Sequence, residues 1–589
     1  MWSRPVPVIG DVSSAAERAA SPDGWALSPE ERDVFYAVVA ARRDIRRFRP
    51  DPLSDEVLER VLTAGHMAPS VGHSQPWRFV VVRDPATRER AAVMADCQRL
   101  GQASQLTPDS ARRLLDLQLE GIREAPVGVV VACDRRTPAS GVLGRATYPD
   151  ADLWSCACAI ENMWLAARAE GLGMGWVTLF RPDDLALLLG FPAGVSTLGW
   201  LCLGWPDERL PDPGLERAGW SRRTELADVV LQERWPDDSF APSERPAPPP
   251  SHLRAPGPAS VVTARDEADT LLTPPGSLGV LDRATDRVIA LGHRTIETGQ
   301  LILVGTSHPV AAHGVSPYES RVTADVLAAA IAGEALGVVA ASSAGMTAMI
   351  VDAGVHGGVG DLVAGAADAR PREKRGDLVG ADALTTADVE YLVEVGRGLG
   401  RAGGRSGLVA LGEVGVGNTT VAAALTSVLC QVDPEQVVGQ GAGADSAMVE
   451  RKMEVVRSAT ARAQGRHGDT LGQALVALGA LGGAEIAVLV GVICGAAEAG
   501  AAVVLDGLAT GAAALLAVSL EPAIAAHLIA GHRSRETAHE LVLQRLGLEP
   551  LLDLRIRAGE GAGACLATGM LKAALSVRRA TARTGPPSR

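Results

Sequence analysis

Apolar positions along the chain follow two different spacings. In 28–47 they recur at helical spacing behind Ser28 and Glu31, whose separation is that of a capping box, so this stretch predicts a helix. The apolar runs within 121–136 and 408–425 are short and rich in valine, which is typical of buried strands. Helix-spaced and strand-like segments on one chain favour an α/β architecture.

A second long helical pattern lies in 148–180 and ends in a glycine-rich turn. Gly171, Gly173 and Gly175 carry no side chain, so we expect the backbone there to lie close to a flat ligand. Alone, glycines at this spacing are weak evidence for a site.

Length and composition predict two domains. The chain has 589 residues, 47% of them hydrophobic and only 3% aromatic, which fits closely packed α/β layers. A stretch rich in proline, serine and alanine divides it, and all ten tryptophans lie before that stretch. The predicted segments are a flexible N-terminal segment at 1–25, a first domain at 26–236, a linker at 237–260, a second domain at 261–578 and a basic tail at 579–589.

Charge and cysteine content exclude several classes of protein. The net charge of −13 argues against nonspecific nucleic-acid binding. The 8 cysteines show no zinc spacing, so we interpret them as small buried hydrophobes in a reducing compartment and predict no metal. No signal peptide is visible, and uncharged stretches such as 507–520 are shorter than the ~20 residues of a membrane span. These observations predict a cytoplasmic protein.

The predicted helix at 28–47 ends in a basic cluster that contains Arg42, Arg43 and Arg46. These arginines are either a solvated helix end or a clamp for an anion such as phosphate. Ser70 and Gln75 follow in a short turn made rigid by glycine and proline, which presents their polar side chains. Trp77, taken alone, is expected in the core.

The two motifs together, Arg-Arg-x-x-Arg-x-Phe and Ser-x-x-x-x-Gln-Pro-Trp, resemble the nitroreductase-like flavoprotein family. The resemblance implies an α+β flavin domain that binds FMN, by its phosphate and ribityl chain at the first motif and by its ribityl chain and ring at the second. The residues that it assigns to FMN are Arg42, Arg43, Arg46, Ser70, Gln75, Gly173, Gly175 and Arg223.

Within that family the sequence resembles the 5,6-dimethylbenzimidazole synthases, which fragment reduced FMN with O2. The resemblance implies catalytic roles for Asp44, where ordinary nitroreductases commonly carry serine, and for Thr178. A carboxylate beside a flavin can move protons, although Asp44 could instead form an ion pair with Arg42 or Arg46. An NAD(P)H-dependent nitroreductase is the alternative activity.

The second domain carries glycine-rich turns that suit an anion. Gly415 and Gly417 follow an apolar strand, and Asn418 begins the next helix, so backbone N–H groups would face a ligand. No Gly-Lys-Ser/Thr follows, which argues against ATP hydrolysis. Glu560 stands between two glycines, either open to a ligand or as an acid that stabilises a helix start.

The motifs PPGSLG, GE-x-G-x-GNTT, LDG, HRS and RxGEGxGA occur here in the order found in nicotinate-nucleotide–dimethylbenzimidazole phosphoribosyltransferases. This resemblance implies a Rossmann-like three-layer α/β domain with Glu560 as general base. The substrate-binding residues that it implies are Glu413, Gly415, Gly417, Asn418, Gly441, Lys452 and Asp325. The chain departs from the family pattern at Ser307-His308-Pro309, usually Asp-His-Gly, and at Asp325, usually glutamine.

Both resemblances together predict a bifunctional enzyme that makes dimethylbenzimidazole from reduced FMN and O2. It would then transfer a phosphoribosyl group from nicotinate mononucleotide to the product. The expected partners are these small molecules, a flavin reductase, and a second copy of the chain in a homodimer; no nucleic-acid or membrane partner is expected. The alternative is a nitroreductase joined to a weak or non-catalytic domain that binds benzimidazole or nucleotide.

Overall fold

The computed structural model describes residues 13, 15–117, 121–233, 252–274, 276–355, 362–441, 443 and 445–584. Two compact units emerge. The N-terminal unit is Asp23–Ala241, and the C-terminal unit is Pro242–Arg589 together with Met1–Pro22. Residues 237–251 of the predicted linker lie outside the described residues.

The C-terminal unit includes the first described helix, α1 (Ala15–Ala20). Arg18 of this helix forms an ion pair with Asp266 at 2.5 Å. At the other end of the chain, Arg583 donates a hydrogen bond to the Thr270 hydroxyl at 2.7 Å. The predicted flexible N-terminal segment and the predicted basic tail therefore each contain a residue with a defined contact.

The N-terminal unit is an antiparallel sheet between two layers of helices. Its helices are α2 (Pro29–Ala41), α3 (Asp55–His66), α4 (Pro85–Ala103), α5 (Pro108–Asp116), α6 (Ala151–Ala169), α7 (Pro182–Leu188), α8 (Gly214–Arg217) and α9 (Leu226–Val229). Its strands are β1 (Trp77–Val82), β2 (Val127–Asp134), β3 (Gly173–Val177) and β4 (Val195–Gly204), in the order β1-β2-β4-β3. Alternate residues of β2 enter separate cores, with Val129 against α3 and α6 and Val130 against α4 and α7.

Helix α2 begins as the sequence predicts and ends earlier. The Ser28 hydroxyl accepts from the Glu31 N–H at 3.2 Å, and the Glu31 carboxylate accepts from the Ser28 N–H at 2.9 Å. The helix ends at Ala41, because Arg42 is extended and the Ile45 N–H donates to the Met174 carbonyl at 3.0 Å. The prediction of helix up to residue 47 was therefore wrong, since the segment after Ala41 pairs beside β3.

The C-terminal unit is a parallel sheet with helices on both faces. Its further helices are α10 (Pro258–Asp269), α11 (Val280–Ala290), α12 (Arg321–Ile331), α13 (Leu336–Ser343), α14 (Thr386–Gly404), α15 (Asn418–Cys430), α16 (Ser446–His467), α17 (Ala474–Leu481), α18 (Ala484–Glu498), α19 (Leu508–Leu520), α20 (Thr537–Leu546) and α21 (Ala562–Ala580). Its strands are β5 (Gly299–Gly305), β6 (Met346–Asp352), β7 (Ala367–Asp368), β8 (Leu408–Val414), β9 (Ala502–Leu505) and β10 (Leu528–Ala530).

The strand order β10-β9-β8-β5-β6-β7 places a topological switch between β5 and β8. Alternate residues of β5 enter opposite cores: Leu301 packs in the layer of α11–α13 and α21, and Ile302 packs in the layer of α14–α19. The three-layer α/β prediction is confirmed. In such sheets ligands bind outside the carboxyl ends of the strands at the switch point.

One apolar helical stretch among the described residues, 321–343, meets the length and composition of a membrane span. In the structure this stretch is two helices, α12 and α13, separated by a turn at Gly333 (φ +82°). Only 28% of its most apolar window is buried within the protein.

Helices α14 and α18 pack with their backbones in contact. A Cβ at Gly491 of α18 would overlap the carbonyl oxygen of Val393, and a Cβ at Gly396 of α14 would overlap that of Val488. Glycine therefore permits this crossing, although it is a poor helix former. Gly398, on the exposed side of α14, has no atom within 4 Å of such a Cβ.

We expect Gly491→Ala to lower the free energy of unfolding of the C-terminal unit by about 1–3 kcal/mol, because the added methyl forces the helices apart. Gly398→Ala is the matched control and should raise stability by about 0.5–1 kcal/mol through helix propensity alone. Urea unfolding followed by circular dichroism measures both. Equal shifts in the two variants would contradict close packing at Gly491.

Candidate functional site

A cleft of about 500 Å³ opens at the carboxyl ends of β8, β9 and β10. Residues just after these strands form its floor, and the start of α15 and the turn before α21 form two of its walls. This is the crevice that the switch between β5 and β8 predicts.

One wall is a glycine turn at the start of α15. Gly417 (φ +99°) caps the helix in a left-handed conformation. A Cβ at Gly415 would lie 2.6 Å from the Thr306 carbonyl oxygen and 3.0 Å from the His308 ring, so only glycine fits there. The turn presents the helix N-terminus to the cleft, which favours an anion.

Lys452 of α16 lies buried beside this turn. Its ammonium donates to the Thr419 hydroxyl at 3.0 Å and to the Gly439 carbonyl at 3.3 Å. Burial lowers the pKa of Lys452. The backbone of Gly441 covers the ammonium, and a Cβ at Gly441 would lie 2.9 Å from it.

Glu413 is the buried carboxyl at the end of β8. Burial raises the pKa of Glu413 to about 8. The hydrogen bond that the Asn418 side chain donates at 2.5 Å acts in the opposite direction and lowers this pKa. The negative charges of Glu485, Asp506 and Glu560 raise it further. The group is therefore mostly protonated at neutral pH.

Glu560 lies opposite the glycine turn in a left-handed conformation (φ +59°), flanked by two glycines that share it. Its N–H donates to the Glu413 carbonyl at 3.1 Å. Its carboxylate accepts from the Gly337 N–H at the start of α13, at 3.2 Å. A Cβ at Gly337 would overlap the Glu560 carbonyl, so the helix start and the carboxylate approach closely. The result is a half-exposed, oriented carboxylate that faces the cleft and can accept a proton.

In the N-terminal unit the segment after α2 is extended, so its side chains alternate between two sides. Arg42 stacks over the Trp164 ring with its guanidinium carbon 4.6 Å from the centroid. Asp44 pairs with Arg46 and accepts from the Trp176 N–H at 3.1 Å. Burial raises the pKa of Asp44, although Arg46 and the Trp176 N–H act against the shift.

Gly173 and Gly175 of β3 make room for this segment. A Cβ at Gly175 would overlap the Ile45 carbonyl oxygen, and one at Gly173 would lie 2.8 Å from the Ile45 side chain. These glycines thus make room for the chain itself, and their predicted approach to a flat ligand stays a prediction.

The turn that carries Ser70 and Gln75 is held by its own polar groups. The Ser70 hydroxyl accepts from the Gln75 N–H at 3.1 Å, and the Val71 N–H donates to Ser155 of α6 at 3.0 Å. Gln75 is left-handed (φ +47°), with its amide 3.2 Å from the His73 ring. Trp77 is buried, as expected, and its indole N–H donates to His66 at 3.1 Å.

Comparisons with known proteins match each unit separately. The phosphoribosyltransferase family model matches residues 254–585, and the nitroreductase family model matches residues 39–205. The 5,6-dimethylbenzimidazole synthase of Rhodospirillum rubrum is 43% identical over 202 residues, which is 34% of this chain and 95% of that protein. The nicotinate-nucleotide–dimethylbenzimidazole phosphoribosyltransferase of Salinispora tropica is 37% identical over 337 residues, 54% of this chain and 92% of that protein.

The chain belongs to the nitroreductase and phosphoribosyltransferase families. A solved structure agrees for the second: CobT from Thermus thermophilus has a TM-score of 0.51 at 36% identity and covers 55% of this chain and 97% of its own. The predicted fusion of two enzyme families is confirmed, although the phosphoribosyltransferase match begins at residue 254, inside the predicted linker.

In the nitroreductase-family domain the structure separates Arg43 from the other predicted flavin residues. Its guanidinium donates to the Ala40 carbonyl at 2.7 Å and to the Pro211 carbonyl at 2.6 Å. With Ile45 it lines a cavity of about 620 Å³, because alternate residues of an extended segment face opposite ways. Arg42 and Arg46 do not line that cavity.

Two further predicted residues of this domain are exposed and have no side-chain partner among the described residues. Thr178 follows β3 directly, and Arg223 lies in an irregular segment between α8 and α9. The structure brings neither side chain into contact with Asp44.

Cysteine burial was predicted for the whole chain and is only partly right. Six of the eight are buried, but Cys97 and Cys158 are exposed. Cys158 lies on α6, on the exposed side that also carries Trp154 and Glu161. Residues four and three apart share one side of a helix, so the three form a stripe.

In the phosphoribosyltransferase-family domain, Asp325 lies on the exposed side of α12 and is not part of the cleft. The neighbours Val322, Thr323 and Val326 line the cleft instead. The helical period explains this, because Val326 is three residues from the buried Thr323 and shares its side, whereas Asp325 is two residues from Thr323 and does not. The structure therefore does not place Asp325 among the residues that line the cleft.

The altered motif Ser307-His308-Pro309 lies directly under the glycine turn. His308 is buried, 3.1 Å from the carboxylate of Glu485, and its ring supports Gly415 from below. The proline begins a short 3₁₀ turn at Pro309–His313, so the altered motif keeps an ordered backbone.

Sequence reasoning missed Asp506 and His532 as site residues, although both lie in motifs that it noted. The Asp506 carboxylate accepts from the Ala564 N–H at 3.0 Å and lies 3.3 Å from His532. It thereby fixes the start of α21, directly after Glu560. Acidic residues that end buried strands, such as Asp506 after β9, were the available signal.

The raised pKa of Glu413 predicts a pH-dependent stability. The folded state holds this proton up to pH about 8 while the unfolded chain releases it near 4.5, so stability falls as pH rises through that window. We expect Glu413→Gln to gain stability relative to the parent protein between pH 5 and pH 9, by at most about 1.4 kcal/mol per pH unit. Urea unfolding at pH 5, 7 and 9 measures the difference.

The control is Glu435→Gln, whose surface carboxylate hydrogen-bonds to Arg457 and has a lowered pKa. It should show no gain at high pH. A stability difference for Glu413→Gln that does not change with pH would refute the assignment.

Proposed function

We propose that this protein makes 5,6-dimethylbenzimidazole from reduced FMN and O2 and then converts it to α-ribazole 5′-phosphate with nicotinate mononucleotide. The names of its relatives support the order, since one is a synthase of the compound that the other takes as acceptor. The observation that carries the proposal is Glu560, an oriented carboxylate facing an anion-binding helix start across one cleft.

In the second domain, the N-terminus of α15 and Lys452 would hold the phosphate of the nucleotide. A ring nitrogen of dimethylbenzimidazole attacks the anomeric carbon of the ribose, and the bond to nicotinate breaks with its electron pair on the departing ring nitrogen. Glu560 takes the N–H proton of the attacking ring. The Gly337 N–H keeps one carboxylate oxygen occupied, so the other is left to accept that proton.

In the first domain, the donor set of Arg42, Arg46, Ser70 and Gln75 suits a phosphate with a polyol chain. Reduced FMN would be the substrate and supplies the ring atoms that remain in the product. Asp44 would hold and move protons there, and its raised pKa brings it closer to neutral pH. Thr178, Gly173, Gly175 and Arg223 remain proposed contacts.

We further propose that this domain pairs with a second copy. Helix α2 has no buried residue and exposes Val34, Phe35 and Tyr36. The exposed stripe of α6 includes Glu161, which lies 3.8 Å from Arg42, and its Trp154 is next to Ser155, which accepts from the Val71 N–H of the Ser70 turn. A partner on this face would close the flavin site from above. A flavin reductase would supply reduced FMN, in the cytoplasm.

A second candidate activity is NAD(P)H-dependent nitroreduction, with the second domain acting only in binding. The ion pair of Asp44 with Arg46 favours it, because a carboxylate held by a guanidinium is a structural element. Retention of flavin reduction in Asp44→Ser without any fragmentation product in the parent protein would establish this activity.

Incubation of the full chain with reduced FMN, O2 and nicotinate mononucleotide, followed by mass spectrometry, tests the main proposal. We expect α-ribazole 5′-phosphate from the parent protein. Glu560→Gln should accumulate dimethylbenzimidazole and slow the transfer at least about 100-fold, the range of a lost general base. Asp44→Asn should yield neither product until dimethylbenzimidazole is added.

The two site variants serve as controls for each other, because each retains the other domain. Formation of oxidised FMN alone by the parent protein would contradict the synthase assignment. Full transfer activity in Glu560→Gln would contradict its role as base.

Flavin affinity separates the two neighbouring arginines. Arg42→Gln removes a guanidinium on the side of Asp44 and should weaken FMN binding about 10-fold or more, as for a lost charged hydrogen bond. Arg43→Gln is the matched control and should bind FMN as the parent does, since Arg43 faces Pro211. Flavin fluorescence titration measures both; equal weakening would show that the side assignment is wrong.

A further inference from the structure

The cleft of the phosphoribosyltransferase-family domain is lined by both carboxyl groups and cations. Its lining carboxyl groups are Glu413, Asp506, Glu536 and Glu560. Its lining cations, apart from histidine, are Lys452, Arg535 and Arg557. Lys452 is already bonded to Thr419 and Gly439.

The two lining arginines differ from most others in this unit. Neither Arg535 nor Arg557 has a hydrogen bond or ion pair with any residue in the part of the chain that the structure describes, and both are exposed. Because no carboxylate of the described residues pairs with these two guanidinium groups, they are available to bind an anionic ligand. A bidentate contact to a ligand carboxylate or phosphate suits their fork of donors.

Along the chain, each of the two arginines lies next to a different carboxyl group of the cleft. Arg557 precedes Glu560 by three residues, so their Cα atoms are at most about 10–11 Å apart. In the proposed reaction Glu560 must reach the attacking ring nitrogen, so Arg557 would lie near the glycosidic bond that breaks. Arg535 directly precedes Glu536. The Glu536 carboxylate would lie 2.8 Å from a Cβ at Gly439, and the Gly439 carbonyl accepts a hydrogen bond from Lys452.

Nicotinate mononucleotide has two anionic groups, a phosphate and the carboxylate of its pyridine ring. The phosphate belongs at the α15 turn with Lys452 and Arg535. The pyridine carboxylate lies one ring width from the bond that breaks, within reach of the long Arg557 side chain. Nicotinamide mononucleotide has a neutral amide at that position and the same phosphate.

We propose that Arg557 binds the carboxylate of the leaving nicotinate ring and thereby selects nicotinate over nicotinamide nucleotides. The proposal rests on the proposed transfer reaction and adds the residue that sets its donor specificity. Pairing with Arg557 would also hold the ring in place as the bond to ribose breaks.

The test compares Arg557→Gln with Arg535→Gln, a matched control that removes the same charge from the same cleft. For Arg557→Gln we expect kcat/KM with nicotinate mononucleotide to fall about 10- to 100-fold, as for a lost charged hydrogen bond, and with nicotinamide mononucleotide to change less than about threefold. Arg535→Gln should lower both by similar factors. Arg557→Lys should restore part of the preference.

Calorimetric titration of the full chain with each nucleotide, without acceptor, gives a second readout. The preference for the nicotinate form should shrink in Arg557→Gln and persist in Arg535→Gln. An equal loss for both nucleotides in Arg557→Gln, or no loss, would overturn the proposal. If the parent protein transfers from neither donor, the transfer reaction itself fails, and the titration still decides the role of Arg557.

Discussion

Contact between three backbone segments at Glu560 fixes the geometry of the cleft. The Glu560 N–H bonds to the Glu413 carbonyl, and its own carbonyl lies against Gly337 and Gly412. No side chain fits at either glycine, because a Cβ would overlap the carbonyl or lie 2.7 Å from it. The start of α13, the end of β8 and the turn before α21 are therefore held together by main-chain contacts. These contacts set the direction of the Glu560 side chain, whereas a lone exposed glutamate would have no fixed direction.

Several helix N-termini near this cleft donate hydrogen bonds to carboxylates of the protein. The start of α13 donates to Glu560 and the start of α21 donates to Asp506, so two helix N-termini stabilise carboxylates of the chain. Among the described residues, no carboxylate accepts a hydrogen bond from a backbone N–H at the start of α15. The Asn418 side-chain amide there donates to Glu413. The start of α15 lines the cleft, and we propose that it holds the phosphate. Burial raises the pKa of Glu413, so this carboxyl group beside the turn is mainly protonated. It therefore adds little negative charge that would oppose an anionic substrate.

Much of this arrangement could be predicted from the sequence, as far as it depends on neighbours along the chain. The capping box at Ser28, the glycine turn at Gly415 and Gly417 and the layered fold all follow from local spacing. The errors concern directions and partners in space. Gly337 and Glu560 are separated by 223 positions, and nothing in either stretch indicates their contact. Asp325 belongs to a motif but lies on the exposed side of its helix, because a helical period, rather than a motif, sets which side chains face the cleft.

The segment after α2 shows the same limit in its simplest form. Three arginines within five residues look like one clamp if they continue a helix, where positions 42 and 46 are neighbours and 43 is close by. Once the segment is extended and lies on Gly173 and Gly175, the period becomes two, and Arg43 turns to the opposite side from Asp44. The glycines of β3 are thus the reason that the proposed clamp has two arginines instead of three. Gly173 and Gly175 leave room for Ile45 to lie against β3, which keeps the segment extended. In this way residues without side chains determine which charged side chains face the proposed flavin.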